Sequence, residues 1–179
     1  MPLHYQSVNL YFQDETRLGL FTRNGKSLTA KGVKPICPFQ QVFKSLFLFG
    51  AFSPITGNQF LLEMPECNTN TFQIYLNEFS KHHPDEFKII VLDNGAFHKA
   101  KSLIIPENIA LVFLPPYSPE LNPAEKMWAI LKRKFTGKLH QTLDQVSDFI
   151  SKAVKRFTEN RIKKTCSFDY IFSNLNWTT

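Results

Sequence analysis

The sequence predicts an α/β fold in which a mixed central sheet is flanked by helices. Three observations lead there. Strand-like runs separated by turn signals come first, as in an antiparallel meander. Apolar spacing then switches to a helical period over residues 69–79. Two continuous apolar runs, 87–92 and 110–114, follow, and each ends in residues that cannot prolong a strand.

From the N-terminus, Val8–Asp14 sets Leu10, Phe12 and Asp14 on one face and Tyr11, Gln13 and Glu15 on the other, the two-residue period of a strand, and closes on the acid pair Asp14-Glu15. Leu18–Thr22 follows closely enough for a hairpin, and Asn24-Gly25 is a strong turn signal. Gly32, Pro35 and Pro38 interrupt any regular element over 24–41. The Phe-rich run 42–52 reads as a buried central strand, residues 54–57 as a turn, and Gln59–Met64 as the next strand.

Phe72, Tyr75, Leu76 and Phe79 mark one face of a helix. Phe87–Leu92 lacks alternation, as expected of a strand covered on both faces, and Asp93-Asn94-Gly95 lies at its C-terminal end, where α/β sheets often hold ligands. Ala110–Leu114 repeats the buried pattern, and the prolines of Pro115-Pro116-Tyr117-Ser118-Pro119 impose a rigid loop. Asn122-Pro123-Ala124-Glu125 starts a helix with Asn as N-cap, Pro first and Glu third. Met127, Leu131 and Phe135 form its buried stripe, with Trp128 packed beside them. Thr142 and Gln145 form a second capping box, opening a helix whose Leu143, Val146, Phe149, Ile150, Val154 and Phe157 face inward while Lys152, Lys155 and Arg156 lie towards the other side.

Composition narrows the class. A chain of 179 residues with 43% hydrophobic side chains fits one well-cored domain and argues against disorder. No apolar run is long enough to span a bilayer, and the start lacks a secretory pattern, so a cytoplasmic protein is expected. Cys37, Cys67 and Cys166 have no zinc-site spacing and read as buried free thiols. Residues 1–125 carry 10 basic and 11 acidic side chains, whereas 126–179 carry 11 basic and 4 acidic, so the positive excess is confined to the C-terminal third. A polyanion met by that end would account for it; so would a solvated helix face.

Asp14, Asp93 and Glu125 each stand at the end of an ordered element. If the fold brings them together, an all-carboxylate set favours Mg²⁺ or Mn²⁺ over zinc, and two such ions would suit in-line phosphodiester chemistry. Singly, each has a plainer reading: Glu125 as a capping-box acid, Asp93 as a turn residue, Asp14 or Glu15 as an exposed strand end.

Three blocks decide between these readings: residues 13–17 (QDETR), 92–98 (LDNGAFH) and 114–128 (LPPYSPELNPAEKMW). Together they resemble the signature blocks of IS630-type transposases of the Tc1/mariner superfamily, and the long third block is the most specific. The resemblance runs from about Gln13 to the Leu131 region. It implies an RNase H-like fold and a DDE triad of metal ligands at Asp14, Asp93 and Glu125, with Asn94 and His98 near the site. The first acid of the block is the family's ligand, which selects Asp14 over Glu15, and strand alternation separates the two in the same way.

The stretch from Asp93 to Glu125 is a few residues shorter than in Tc1/mariner relatives. Full-length relatives also carry an N-terminal helix-turn-helix that recognises element ends, for which the 12 residues before Gln13 leave no room. The expectation is therefore one catalytic domain, with a basic helical segment over about 142–179, that works with a separately encoded DNA-binding half or is a truncated remnant. Its expected reaction is metal-dependent cleavage at the element's ends, then attack of the freed 3′-hydroxyl on target DNA, in a homo-oligomeric complex. Lys126, Lys132, Arg133, Lys134 and Lys138 are candidate backbone contacts. The alternatives are an inactive DNA-binding or assembly remnant and a hydrolytic nuclease that cuts without joining strands.

Overall fold

The computed structural model describes residues 5–22, 29–34, 36 and 39–173. Strands β1 (Ser7–Gly19), β2 (Ser45–Phe52), β3 (Gln59–Met64), β4 (Glu86–Leu92) and β5 (Ile109–Phe113) form one sheet in the order β3-β2-β1-β4-β5. The β1–β2 and β2–β3 pairs are antiparallel, and the β1–β4 and β4–β5 pairs are parallel. This is the mixed sheet expected of an RNase H-like fold. Helix α1 (Thr69–Lys81) provides the crossover from β3 to β4, while α2 (Ala124–Phe135), α3 (Leu143–Val154), α4 (Glu159–Cys166) and α5 (Asp169–Ser173) follow the sheet.

Alternation along β1 sorts the molecule into layers. Tyr11 joins Phe49, Ile90, Leu92 and the buried α1 residues Phe72, Tyr75, Leu76 and Phe79 on one face. Leu18 and Leu20 join Leu48, Phe52 and the inner residues of α2, α3 and α4 on the other. Phe12 lies on this second face too, against Val91 and Ile171. Asp14 shares the parity of Phe12 and Leu18 and so faces the α2 side, whereas Glu15 faces α1.

Several expectations are corrected. Residues 8–22 do not fold back as a hairpin: β1 continues to Gly19 because β2 pairs with it as far as Gly19↔Ser45, so the polar pair Thr16-Arg17 is absorbed into the strand. The Asn24-Gly25 turn, Pro35, Pro38 and Cys37 lie outside the described residues. Residues 110–114 are not buried on both faces, because β5 is an edge strand that leaves Val112 46% and Phe113 37% exposed. Helix α3 ends at Val154, although Phe157 beyond it stays buried at 3% exposure. Thr142 caps α3 by accepting from the Gln145 amide, but Gln145 Oε1 accepts from the Gln141 amide, one residue before the cap. Cys166 is buried as expected and Cys67 only half-buried, and both are free.

Helix α2 is held against the sheet by one side chain in a gap. Trp128 is fully buried, edge-on to Phe52 at 5.3 Å between ring centroids. It reaches the sheet over Gly50, the β2 partner of Asp14: a Cβ there would lie 2.5 Å from Trp128 Cη2 and 2.7 Å from Leu61 Cδ2. Gly50→Ala should therefore displace the indole and lower stability by about 1–3 kcal/mol, the usual cost of overpacking. Urea unfolding followed by tryptophan fluorescence checks this; an unchanged midpoint would mean that the helix yields without strain.

Candidate functional site

The β1–β4 ladder ends at Phe12↔Val91, and two residues beyond on each strand stand Asp14 and Asp93, on the same face by alternation. Asn122 brings the third acid to them. Its Nδ2 donates to the Gln13 carbonyl at 2.9 Å, while its Oδ1 accepts from the Ala124 amide at 3.1 Å, so the start of α2 is tied to the residue preceding Asp14. The N-cap position itself falls to Pro123, one residue later than expected, because Asn122 is engaged with β1; Glu125 does not close a capping box. Asp14, Asp93 and Glu125 thus line a single cleft of about 520 Å³, together with Asn94, Lys99 and the 114–119 loop.

The cleft's electrostatics are unbalanced. Burial pushes the Asp14 carboxyl up to about 8, and the neighbouring charges of Glu125, Glu15 and Asp93 push the same way. Its Oδ2 is buried without a hydrogen-bond partner. Both features suit a carboxylate whose counter-charge comes from outside the chain: an uncompensated buried oxygen is unfavourable unless a cation or donor meets it. Among the described residues, no three acidic, histidine or cysteine side chains stand grouped closely enough to hold a metal ion as they are placed. The three acids share one open cleft.

Asp93 is held from behind. Its Oδ1 accepts from the Gly95 amide at 2.8 Å and from His98 Nδ1 at 2.8 Å, and His98 Nε2 reaches Glu15 Oε1 at 3.1 Å. An imidazole can donate from both nitrogens only when protonated. Burial alone would lower the His98 pKa, but the hydrogen bonds and charges of Asp93 and Glu15 outweigh it and raise the group to about 9. The bond from His98 holds the Asp93 carboxyl below its usual range, against the opposing effect of burial. The ring is fixed on the α1 side by Phe72, at 4.5 Å between centroids. Gly95 fits closely here: a Cβ would lie 3.0 Å from Asp93 Oδ1 and 3.1 Å from His98 Nδ1. Asn94 turns the other way, its Nδ2 donating to the Leu114 carbonyl, which joins the Asp93 turn to the 114–119 loop.

Two side chains escaped the sequence reading. Glu15, set aside in favour of Asp14, is the second carboxylate of the His98 bridge, and only the fold of residues 92–98 under β1 reveals it. Tyr117 stands fully exposed on the cleft rim with a left-handed φ of 58°, uncommon for a residue with a Cβ. The prolines on either side of it gave the signal of a rigid loop but not the direction of the ring.

The basic candidates divide. Lys126 lies beside Glu125, with its Nζ 4.0 Å above the Phe168 ring. Lys132 points into a separate pocket with Arg17, Lys44 and Phe43. Lys134 and Lys138 line a groove with α3 on the helical side of the molecule, and Arg133 is exposed nearby. Only Lys126 adjoins the acidic cleft in sequence.

The pH response follows in sign from two groups. His98 has a folded value of about 9 against an ordinary 6.5, so its stabilising bonds are complete below 6.5 and lost as pH rises through about 9. Asp14 is raised from 3.8 to about 8; its support is present below 3.8, where the acid is neutral, and is lost as pH rises through about 8. Without divalent ions, unfolding free energy should fall by roughly 2–4 kcal/mol from about pH 6 to about pH 9.5. Asp14→Asn should recover roughly 1–3 kcal/mol at about pH 8. Urea titrations across that range in a chelator check both; stability that climbs with pH would refute the account.

Comparison with known proteins agrees with this architecture. Residues 9–164 match the DDE superfamily endonuclease family. The uncharacterized protein y4pE/y4sA of Sinorhizobium fredii is 38% identical over 87 residues, 48% of this chain and 64% of that protein. Among solved structures, the Mos1 mariner paired-end complex with Mn superposes with a TM-score of 0.69 at 17% identity over 88% of this chain and 51% of that one. The Mos1 strand transfer complex gives 0.67 at 16% identity over 88% and 50%. At these identities the likeness shows the fold, and the chain spans about half the length of the Mos1 chains. No described helix is long and apolar enough to cross a membrane. By its family match, the chain belongs to the DDE superfamily endonucleases, and its fold is RNase H-like.

Proposed function

We propose that this chain is the catalytic domain of a DNA transposase, which cuts at the ends of a mobile element and joins the freed 3′-hydroxyl to target DNA. The observation that carries the proposal is the Asp14 carboxylate, buried with an unpartnered oxygen in the cleft that Asp93 and Glu125 also line. Asp14, Asp93 and Glu125 are the residues that would hold Mg²⁺ or Mn²⁺. When bound, two such ions supply neutralisation of the transferring phosphate and activation of the attacking oxygen.

The protein's own part is positioning. β1 and β4 fix the two aspartates through their shared ladder, and Asn122 fixes the start of α2 and with it Glu125. His98, braced by Glu15, holds Oδ1 of Asp93 and leaves the other oxygen free of hydrogen bonds from the described residues. Such fixed geometry is what in-line transfer needs, since misplacing a ligand by about 1 Å can cost about 100-fold in rate. Lys126 beside Glu125 is the candidate phosphate contact, with Lys132, Arg133 and Lys134 further along α2 and Lys138 in the turn after it. The Mos1 neighbours include a paired-end complex with a transposon end and a strand transfer complex, which supports DNA as partner and a multi-chain assembly. A hydrolytic nuclease on the same cleft would cut without the joining step.

Purified chain should nick supercoiled plasmid with Mn²⁺, and Asp93→Ala should reduce nicking at least 100-fold; equal nicking by both would sink the triad. Mn²⁺ at about tenfold above Kd should also raise the Tm by about 3–6 °C. Asp14→Asn should abolish that rise while remaining folded, and a rise that survives in the variant would place the ion elsewhere.

A further inference from the structure

The C-terminal helices build a basic surface that the carboxylate cleft does not explain. Lys134 and Lys138, from α2 and the turn after it, and Lys152 and Arg156, from α3 and its end, line a groove of about 410 Å³ with Phe149 and Ala153. No carboxylate lines it. Arg133 and Arg161 lie close by: after a slight desolvation, the charges of Arg156, Arg161, Arg133 and Lys138 all press the Lys134 ammonium below its ordinary value. Lys138 Nζ lies 4.8 Å from the centre of the Phe149 ring, so the aliphatic and aromatic parts are packed while the charges remain at the groove mouth.

Cations in the last turn of a helix have an ordinary explanation, since they oppose the negative end of its dipole. That explains Lys132–Lys134 on α2 and Lys152 on α3 taken separately. It does not explain why six cations from α2, α3, α4 and their connections converge without a counter-ion. The ion pairs among the described residues are Lys81–Glu78 and the two contacts of His98, and none involves a cation beyond residue 98. Crowded like charges weaken a fold. A polyanion from outside relieves the repulsion.

The form of the groove narrows the ligand. It is open and lined by long, point-like charges, which suits a run of phosphates rather than one enclosed anion. Lys134 follows Glu125 by nine residues on the same helix, about 14 Å along its axis and about two and a half turns round it, so the groove opens on a different face of α2 from the carboxylate cleft. We propose that the α2–α3 groove is a second, metal-independent binding site for the phosphate backbone of duplex DNA, separate from the cleft. The identification of the ligand as DNA rests on the transposase reading; the groove itself does not depend on cleavage.

The test is duplex binding by the full chain in EDTA, followed by fluorescence anisotropy of a labelled duplex of about 20 base pairs from about 50 to about 200 mM salt. Lys134→Gln/Lys152→Gln/Arg156→Gln should weaken binding at least 10-fold at the lowest salt and reduce the slope of log K against log salt by about 2–3, since each phosphate contact contributes about 0.9. Lys31→Gln/Lys34→Gln/Lys101→Gln removes the same charge elsewhere on the surface and should change the slope by less than about 1. Equal changes in the two triple variants would overturn the proposal, as would a slope change seen with single-stranded RNA or heparin but not with duplex. If the triple variant is unfolded by circular dichroism, Lys134→Gln alone decides the matter through a slope change of about 1 or none. Chelated conditions keep the outcome separate from the nicking assay: nicking can fail while the groove binds, which would sink only the cleft reading.

Discussion

The site depends on the central position of β1. This strand pairs antiparallel with β2 on one side and parallel with β4 on the other, so its register is constrained twice. A slip of one residue would turn Tyr11 away from the α1 core, Leu18 away from the α2 core, and Asp14 out of the cleft, all at once. Burial on both faces therefore fixes the position of an acidic side chain that the core itself has no use for. The parallel neighbour ends its pairing two residues before Asp93, and the two aspartates emerge side by side where the ladder stops. The same strand, through the Gln13 carbonyl, anchors Asn122 and the helix that carries Glu125.

The two faces of β1 treat their acids in opposite ways. On the α1 side, Glu15 meets the protonated His98, which is walled by Phe72 and Phe97 and reaches round the strand end to Asp93, so those charges are compensated within the chain. On the α2 side, Asp14 has no such partner and one buried oxygen stands bare. A fold built for stability alone would have placed a neutral residue there or supplied a donor. Retaining an uncompensated carboxylate makes sense where an external cation completes the arrangement. Gly50 under Trp128 and Gly95 between Asp93 and His98 show how closely the surrounding packing is fitted to that arrangement.

Charge is segregated along with geometry. The acids gather in the cleft at the end of β1 and β4, while the cations gather on the far part of α2 and on α3 and α4. Helix α2 belongs to both regions, with Glu125 in its first turn and Lys132, Arg133 and Lys134 in its last. Each placement agrees with the helix dipole, which favours acids at the start and bases at the end. One rigid helix packed on the core through Trp128, Leu131 and Phe135 thus fixes the distance between an acidic and a basic surface, a spacing suited to a long polyanion.

Much of this was determined by the sequence alone. The alternation of 8–14 was enough to put Asp14 and Glu15 on opposite faces, the helical spacing of Phe72, Tyr75, Leu76 and Phe79 located α1, and the unbroken run 87–92 announced a strand covered on both sides with Asp93 at its end. These are local facts, since side-chain period and turn chemistry act over a few residues. Tertiary structure decided what depends on distant partners: that β1 runs on to Gly19 because β2 is there to pair with it, that β5 is an edge and not an interior strand, that Asn122 reaches across to Gln13 while its Oδ1 meets the first amide of α2, and that Glu15 belongs with His98. It also decided that Asp14 Oδ2 is buried without a partner and that cations separated in the chain by up to 28 positions, from Arg133 to Arg161, crowd one surface. A residue's neighbours across the core are set by the packing of whole elements, and no short-range pattern records them.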